Sequence, residues 1–388
     1  VIELIGGIRM ATGFLRPTQR VVDCQALYHN VAEEIKLLPQ GTELFAVVKA
    51  NGYGHGAVKV AEIAKKAGAT GFCVSILDEA LELREAGFTE PILVLGVVEP
   101  CYLTVAVEHN IAVTAASLSW LQYASQLLQE DRIGQLTIHL KIDTGMGRLG
   151  LRTAEEISEV VRFLSDHSEF ELEGVFTHFA KADSKDTDYF KKQNNRFAQA
   201  LALLPNDIRY VHTANSATAL WHEQNNCNLI RFGAAMYGLN PSGRELAAPF
   251  DLKQAMTLET EVVHIKQLPA NESISYGATY TTTQEEWIAT LPIGYADGLT
   301  RDFQGFTVLV GDKLVPIVGR VCMDQCMVRL NGPVPLGEKV IIFGNQDDQA
   351  NDFQVGAEYI GTINYEIPCM LSERVPLVYV NEQLTAEE

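Results

Sequence analysis

The apolar run Leu44-Phe45-Ala46-Val47-Val48 stops at Lys49, and glycines follow at 52, 54 and 56. A lysine that closes a buried strand loses part of its hydration, which lowers its proton affinity and suits it to condense with an aldehyde cofactor. Glycines beside it let the backbone approach a bound ligand closely. The same position also fits a strand-end lysine whose ammonium reaches back to water. Other apolar runs end in a similar way: Asp143 and Arg148 follow one, His178 another, Asn215 and Ser216 a third, and Arg231 with Gly233 a fourth. Each alone suits a loop or a cap. Together they describe a polar mouth able to hold an anionic aromatic ligand.

One further motif competes for attention. Gly145-Met146-Gly147-Arg148-Leu149-Gly150 has the spacing of a dinucleotide-binding turn, with Glu169 and Glu171 about twenty residues on. It opens the fifth strand-helix unit rather than the first, and a cation lies inside it, both of which weigh against that use.

The elements that must position these residues are legible as a repeating texture. Short apolar runs occur at 44–49, 71–76, 92–95, 111–115, 136–143, 172–178, 208–212 and 229–232. Most are apolar on both faces, as strands buried in a parallel sheet are. Helical periodicity fills 57–67, 78–86, 117–129, 153–165 and 188–204, with Thr153 and Glu156 forming a capping box. Eight such units predict an α/β fold in the form of a closed (β/α)8 TIM barrel over residues 18–245, its active site at the C-terminal ends of the strands and phosphate held near the last two. After Pro249 the texture changes to strand-like runs at 258–265, 287–291, 307–310 and 339–343, with a Gly311-Asp312 hairpin turn. Residues 246–388 therefore read as a second, mainly β domain, which the segment 10–17 is a candidate to join.

Composition bounds the partners. At 388 residues with 47% hydrophobic and 20% charged side chains, the chain is long enough for two cores. A net charge of -19 repels polyanions and anionic lipid, so neither nucleic acid nor membrane is an expected partner. No apolar run approaches the length of a membrane span, and the N-terminus lacks the pattern of a signal peptide, so a cytoplasmic location is expected. The residues before Met10 are set aside as an upstream extension or a remnant of expression. The seven cysteines are scattered and never spaced Cys-x-x-Cys; reduced thiols are expected, and Cys322 with Cys326 lacks the histidines that a zinc site would need.

The segment Ala46-Val47-Val48-Lys49-Ala50-Asn51-Gly52-Tyr53-Gly54-His55-Gly56 resembles the cofactor-lysine signature of bacterial alanine racemases, pyridoxal-phosphate enzymes of fold type III. The resemblance extends over nearly the whole chain, through 139–150, Thr177-His178-Phe179, His212-Thr213-Ala214-Asn215-Ser216, Arg231-Phe232-Gly233, Ser275-Tyr276-Gly277, 294–298, 319–324 and Asn364-Tyr365-Glu366. It implies pyridoxal 5'-phosphate as cofactor, L-alanine and D-alanine as substrates, and D-alanine for peptidoglycan as the product. It also implies a homodimer with shared active sites. Lys49 would carry the cofactor as an aldimine and serve one face of the substrate, while Tyr276 of the partner protomer serves the other. His178 would lie against the pyridine ring; Tyr53, Ser216, Gly233, Ala234 and Tyr365 would hold the phosphate, with Asn215 beside them. Arg148 would reach the phenolic oxygen and the substrate carboxylate, and Arg231 would face the pyridine nitrogen. Met323 and Asp324 would line the substrate site, Tyr295 and Arg301 its entrance, and Lys141 occupies a position carbamylated in some members. The sequence departs at Gly52, where many relatives have alanine beside the cofactor.

Two-base racemisation needs a proton carrier on each face of a planar centre, and a tyrosine of ordinary pKa near ~10 serves only if cations or hydrogen bonds stabilise its phenolate. An arginine opposite the ring nitrogen donates but never deprotonates, which makes the ring a weaker electron sink and confines the chemistry to Cα. Three alternatives stand beside this reading: a racemase of broader range that also takes serine, a basic amino-acid decarboxylase, and a non-catalytic pyridoxal-phosphate carrier. The decarboxylase would place an acid where Arg231 stands, and the carrier would lack residues 250–388.

Overall fold

The computed structural model describes residues 11–131, 134–223, 227–346 and 349–384. They divide into two units, one of residues 25–253 and one of residues 11–24 with 254–383. The chain begins its regular structure with β1 (Gln19–Asp23), which belongs to the second unit.

The first unit contains β2 (Glu43–Val47), β3 (Gly71–Val74), β4 (Ile92–Val94), β5 (Ala112–Ala115), β6 (Leu136–Lys141), β7 (Phe170–Phe176), β8 (Tyr210–His212) and β9 (Leu229–Phe232). All eight pair in parallel, in the order β8-β7-β6-β5-β4-β3-β2-β9. The two ends meet where the Asn228 N–H donates to Val211 O at 3.1 Å and the Arg231 N–H to Ala214 O at 3.0 Å, closing the barrel. Its interior packs Phe45, Val47, Cys73, Leu93, Tyr210 and Leu229. Strands this buried must be apolar on both faces, which is why the runs were readable.

The helical layer follows the same logic. Ala57–Ala67, Leu77–Glu85, Leu118–Asp131, Ala154–Ser165 and Asp188–Leu201 occupy the predicted positions, and Thr153 caps Ala154–Ser165 by accepting the Glu156 N–H at 3.2 Å. Two helices went unread: Leu103–Glu108 and Ser216–Trp221 are too short to display a period. A third, Cys24–Leu37, precedes the first barrel strand and takes the place of a helix after the last one. Its Asn30 side chain donates to Met236 O at 3.0 Å and to Lys253 O at 2.8 Å, so the chain's beginning covers the barrel's end.

The second unit corrects the predicted boundary at residue 18. β1 pairs antiparallel with β10 (Met256–Glu261) and parallel with β20 (Leu377–Val380), so residues 19–23 are a strand of the β domain rather than the start of the barrel. Residues 246–253 conversely stay with the barrel, held there in part by the Asn30 contact to Lys253. Between β10 and β20 the chain forms β11 (His264–Leu268), β12 (Ser273–Ile274), β13 (Tyr280–Thr281), β14 (Glu286–Leu291), β15 (Thr307–Val310), β16 (Lys313–Pro316), β17 (Cys326–Leu330), β18 (Lys339–Gln346) and β19 (Gln349–Asn351). The main sheet runs β16-β15-β18-β10-β1-β20 with β19 beside β18, and β11-β14-β17 make a smaller one. The run expected at 258–265 is two strands broken at Val262 and Val263. Residues 1–10, including those before Met10, lie outside the described residues. Among the described residues no helix is long and apolar enough to cross a membrane.

Candidate active site

Lys49 follows β2 and is half-buried. The chain does not run on from it in an ordinary helix: Ala50, Asn51, Gly52 and Tyr53 have φ of 53°, 51°, 60° and 51°, a left-handed turn in which three members are not glycine. Each such residue costs roughly 1 kcal/mol, so something must hold the turn. Glu79 does so from the helix Leu77–Glu85, its carboxylate accepting the Ala50 N–H at 2.6 Å and the Ser75 N–H at 2.8 Å. Asn51 Oδ1 accepts the Ala57 N–H at 2.9 Å, joining the turn to the following helix. A Cβ on Gly52 would lie 3.3 Å from Ala57 N and Val60 Cγ2, so the departure noted there bears on packing against the following helix.

His178 stands beyond the end of β7. Burial, followed by the charges of Arg231, Arg148, Lys141 and Lys49, holds its imidazole well below the usual histidine range. Four basic groups carried by three strands and the loops after them, β2, β6 and β9, thus act on one neutral ring, in a protein whose net charge is -19. Lys141 lies with its Nζ 5.1 Å from the Phe176 ring centroid and donating to Ile142 O at 3.0 Å; burial, and then Arg231, pull its ammonium down to about 7.

Arg231 is buried, and burial lowers it to about 10, which leaves it a cation at neutrality. Nη1 donates to His212 Nδ1 at 2.7 Å and to His212 O, while Nη2 donates to Thr177 O at 2.9 Å and Thr213 O at 3.1 Å. Nε is its one nitrogen with no hydrogen-bond partner among the described residues, a donor available to a ligand.

A cradle lies beside it. Ser216 Oγ accepts the Gly233 N–H at 2.9 Å and the Ala235 N–H at 3.3 Å, and a Cβ on Gly233 would come within 3.1 Å of Tyr53 Oη. Ser216 begins the helix Ser216–Trp221 and Ala234 begins the turn Ala234–Tyr237, so the cradle lies where two helical segments start. Asn215 acts here as a cap, its Oδ1 accepting both the Thr218 N–H and the Thr218 hydroxyl at 3.0 Å. Lys49, Tyr53, Lys141, Arg148, His178, Ser216, Arg231, Gly233 and Ala234 all belong to this one strand-end face. The donor set of cations, a hydroxyl and phenol, and one unpaired guanidinium N–H fits a phosphorylated pyridine aldehyde.

The glycine motif at 145–150 serves another purpose. Its loop wraps the carboxylate of buried Asp143, whose Oδ1 accepts the Gly145 and Gly147 N–H groups at 3.0 and 2.9 Å. Gly150 packs on Lys141, where a Cβ would lie 2.8 Å from its Cγ. The turn is filled by protein and does not cradle a pyrophosphate.

In the β unit, Tyr276 is 72% exposed. It sits between Ser275 (φ 65°) and Gly277 (φ 76°), where a Cβ on Gly277 would meet Arg320 Nη1 at 2.9 Å and the Ser275 hydroxyl donates to Arg320 O at 2.6 Å. The Tyr295 and Ala296 N–H groups donate to Cys322 O and Met323 O at 3.0 Å, so Tyr295, Met323 and Asp324 form one cluster. Arg374 Nη2 holds Asp324 at 2.7 Å, and buried Asp297 takes both Arg16 and Arg374. Arg301 is exposed in the turn Arg301–Phe303, and Tyr365 precedes the helix Glu366–Met370. The reading of strand ends missed His139, Glu173, His212 and Glu79 as site-supporting residues; histidines and an acid inside otherwise apolar barrel strands were the available signal.

The profile of the alanine racemase N-terminal domain matches residues 22–241, and that of the C-terminal domain matches residues 255–379. An alanine racemase of Levilactobacillus brevis is 52% identical over 371 residues, covering 95% of this chain and 100% of the relative. The crystal structure of alanine racemase from E. faecalis superposes with a TM-score of 0.93 at 54% identity, covering 96% of this chain and 100% of that one. That of the Bacillus anthracis enzyme with bound L-Ala-P gives 0.92 at 47% identity, covering 97% and 98%. Two family profiles that together span most of the chain, and relatives about half identical over their whole length, agree with the barrel and β domain: the chain belongs to the alanine racemase family.

Proposed function

We propose that the protein interconverts L-alanine and D-alanine as a cytoplasmic homodimer dependent on pyridoxal 5'-phosphate, and so supplies D-alanine for peptidoglycan. The observation that carries this is the convergence of Lys49, Lys141, Arg148 and Arg231 on neutral His178, beside a hydroxyl-lined cradle. When bound, the cofactor supplies the carbonyl that captures the amino group and the conjugated ring that spreads charge from Cα.

The chain's residues do the rest. Tyr53, Ser216, Gly233 and Ala234 would hold the phosphate, a role the family resemblance also gives to Tyr365, and half-buried, neutral His178 would pack against the ring. Arg148 would reach the phenolic oxygen and the substrate carboxylate. Arg231 would offer its Nε–H to the ring nitrogen and, being unable to accept a proton, would keep that nitrogen unprotonated. A donor at that nitrogen would leave a bound ring a weak electron sink and so favour return of the proton to Cα. Among the described residues no carboxylate contacts Arg231, which favours racemisation over decarboxylation. Lys49 Nζ exchanges the Cα proton of the D isomer on one face, and Tyr276 Oη from the partner protomer that of the L isomer on the other. Met323 and Asp324 line the substrate, and Tyr295 and Arg301 narrow its entrance.

Cα-proton exchange in heavy water tests the division of labour. Tyr276→Phe should keep the visible absorption of bound cofactor and lose exchange from L-alanine by at least about a hundredfold. Unchanged exchange from L-alanine in that variant rejects the role of Tyr276.

A further inference from the structure

A file of polar side chains leads from Arg231 through the barrel interior, where apolar packing is the rule. Arg231 Nη1 lies 2.7 Å from His212 Nδ1, His212 Nε2 lies 2.8 Å from His139 Nδ1, and His139 Nε2 lies 3.1 Å from Glu173 Oε2. Arg209 Nη1 reaches Glu173 Oε1 from outside at 3.1 Å, with its guanidinium 4.6 Å above the ring of Tyr210. His139 and His212 are buried.

The backbone is shaped to permit this file. In the pairing of β6 with β7, Ile138 faces Leu172 and His139 faces Gly174, so Glu173 is the extra residue of a β-bulge. A bulge turns a side chain that the pleat would otherwise aim elsewhere. The next residue has to be glycine, because a Cβ on Gly174 would lie 2.3 Å from His139 Nδ1. One irregularity and one missing side chain thus bring a carboxylate onto the imidazole.

Proton positions follow from one end. A guanidinium nitrogen only donates, so His212 Nδ1 accepts and a neutral His212 carries its proton on Nε2. That proton is given to His139 Nδ1, which leaves the His139 proton on Nε2, directed at Glu173. Both rings are held neutral: burial lowers each, outweighing at His139 the hydrogen bond to Glu173 that acts the other way. Burial would push the Glu173 carboxyl up, but the His139 bond and the Arg209 charge outweigh it and hold the group ionised. Arg231 therefore has a counter-charge two rings away and none in contact. A carboxylate in contact would compete for the guanidinium that the cofactor's ring nitrogen needs.

We propose that Glu173 is a positioning residue for Arg231: seated by the bulge, it acts through His139 and His212 as the distant counter-charge that keeps the guanidinium turned as a donor toward the ligand. This rests on the reading of Arg231 given above. The test uses full-length protein labelled with nitrogen-15 at histidine, cofactor-free and loaded. In the wild type, both His139 and His212 should show a bare Nδ1 and a protonated Nε2 in both forms; a proton on Nδ1 of either overturns the relay without any variant. Glu173→Gln keeps an accepting oxygen and removes the charge. It should retain that tautomer pattern, shift the His212 Nδ1 resonance, and lower kcat about tenfold with KM changed less than about twofold. A wild-type resonance position together with wild-type kcat overturns the proposal. Inactivity of wild-type protein toward alanine with the tautomer pattern intact overturns only the functional reading beneath it.

Discussion

Arg231 and Lys141 show how burial sets chemistry at single residues. Arg231, lowered by burial to about 10, stays charged at neutrality, and its Nε–H is the one donor of the guanidinium without a partner among the described residues. Replacing it by glutamate would offer the ring nitrogen a proton partner and a stronger electron sink. The expected outcome for Arg231→Glu is accumulation of the pyridoxamine form during turnover of alanine, followed by absorbance; no increase over the wild type refutes the account. Lys141, lowered to about 7 by burial and by Arg231, is mostly unprotonated and nucleophilic at about pH 8. Its amine should add carbon dioxide, releasing one proton and leaving a carbamate anion among the cations that surround it. Carbon-13 bicarbonate should then give a carbamate signal that Lys141→Arg lacks, and its absence from wild-type protein rejects the modification. Lys49, Arg148 and Arg231 were legible because a charge ending an apolar run is conspicuous. Glu79 was not, since nothing in its neighbours' types announces the left-handed turn it holds. Glu173 was announced only by Gly174 beside it, a lone glycine in a strand that signals a bulge without saying what the bulge aims at.

The elements behave as their burial demands, with one costly exception. Glu34, on the helix Cys24–Leu37 that substitutes for the barrel's last, is fully buried, and neither carboxylate oxygen has a hydrogen-bond partner among the described residues. Burial pushes its carboxyl from 4.5 up to about 7. Below the lower value the group is neutral whether the chain is folded or not, and nothing is lost. As pH rises the unfolded chain ionises first, so stability falls until about pH 7, where the folded protein ionises too, and the loss then stays constant. The shift corresponds to about 3 kcal/mol. Glu34→Gln should remove this slope, so that urea unfolding measured at pH values across that interval shows a flatter profile than the wild type; an unchanged slope assigns the pH dependence elsewhere. The long strands and the amphipathic helices of this layer were readable from period alone. The short helices and the placement of Cys24–Leu37 were not, because a single turn has no period and a helix before the first strand has no local reason to close a barrel.

At the scale of the molecule, the two residues proposed as proton carriers sit in different units: Lys49 in the barrel, and Tyr276, 72% exposed, in the β unit. If each site takes its tyrosine from the partner protomer, two dead enzymes should rescue each other. Lys49→Ala and Tyr276→Phe proteins, unfolded together and reassembled, should recover about a quarter of wild-type activity, since half the dimers are mixed and each mixed dimer has one intact site. No recovery would show that a single chain supplies both groups. The strand Gln19–Asp23 belongs to this scale as well. It pairs with Met256–Glu261 and Leu377–Val380, partners that lie more than two hundred residues away in sequence, so its membership in the β domain could not be read locally.

By itself, the sequence determined the barrel, the change of texture after Pro249 and the strand-end lysine, because burial on both faces and helical periodicity are written in neighbouring residues. Tertiary structure alone decided which charges meet around His178, that the glycine loop at 145–150 folds on Asp143, and that Glu173 reaches Arg231 through two imidazoles. Those outcomes depend on strand register and ring closure, which set distances between residues that no local pattern relates.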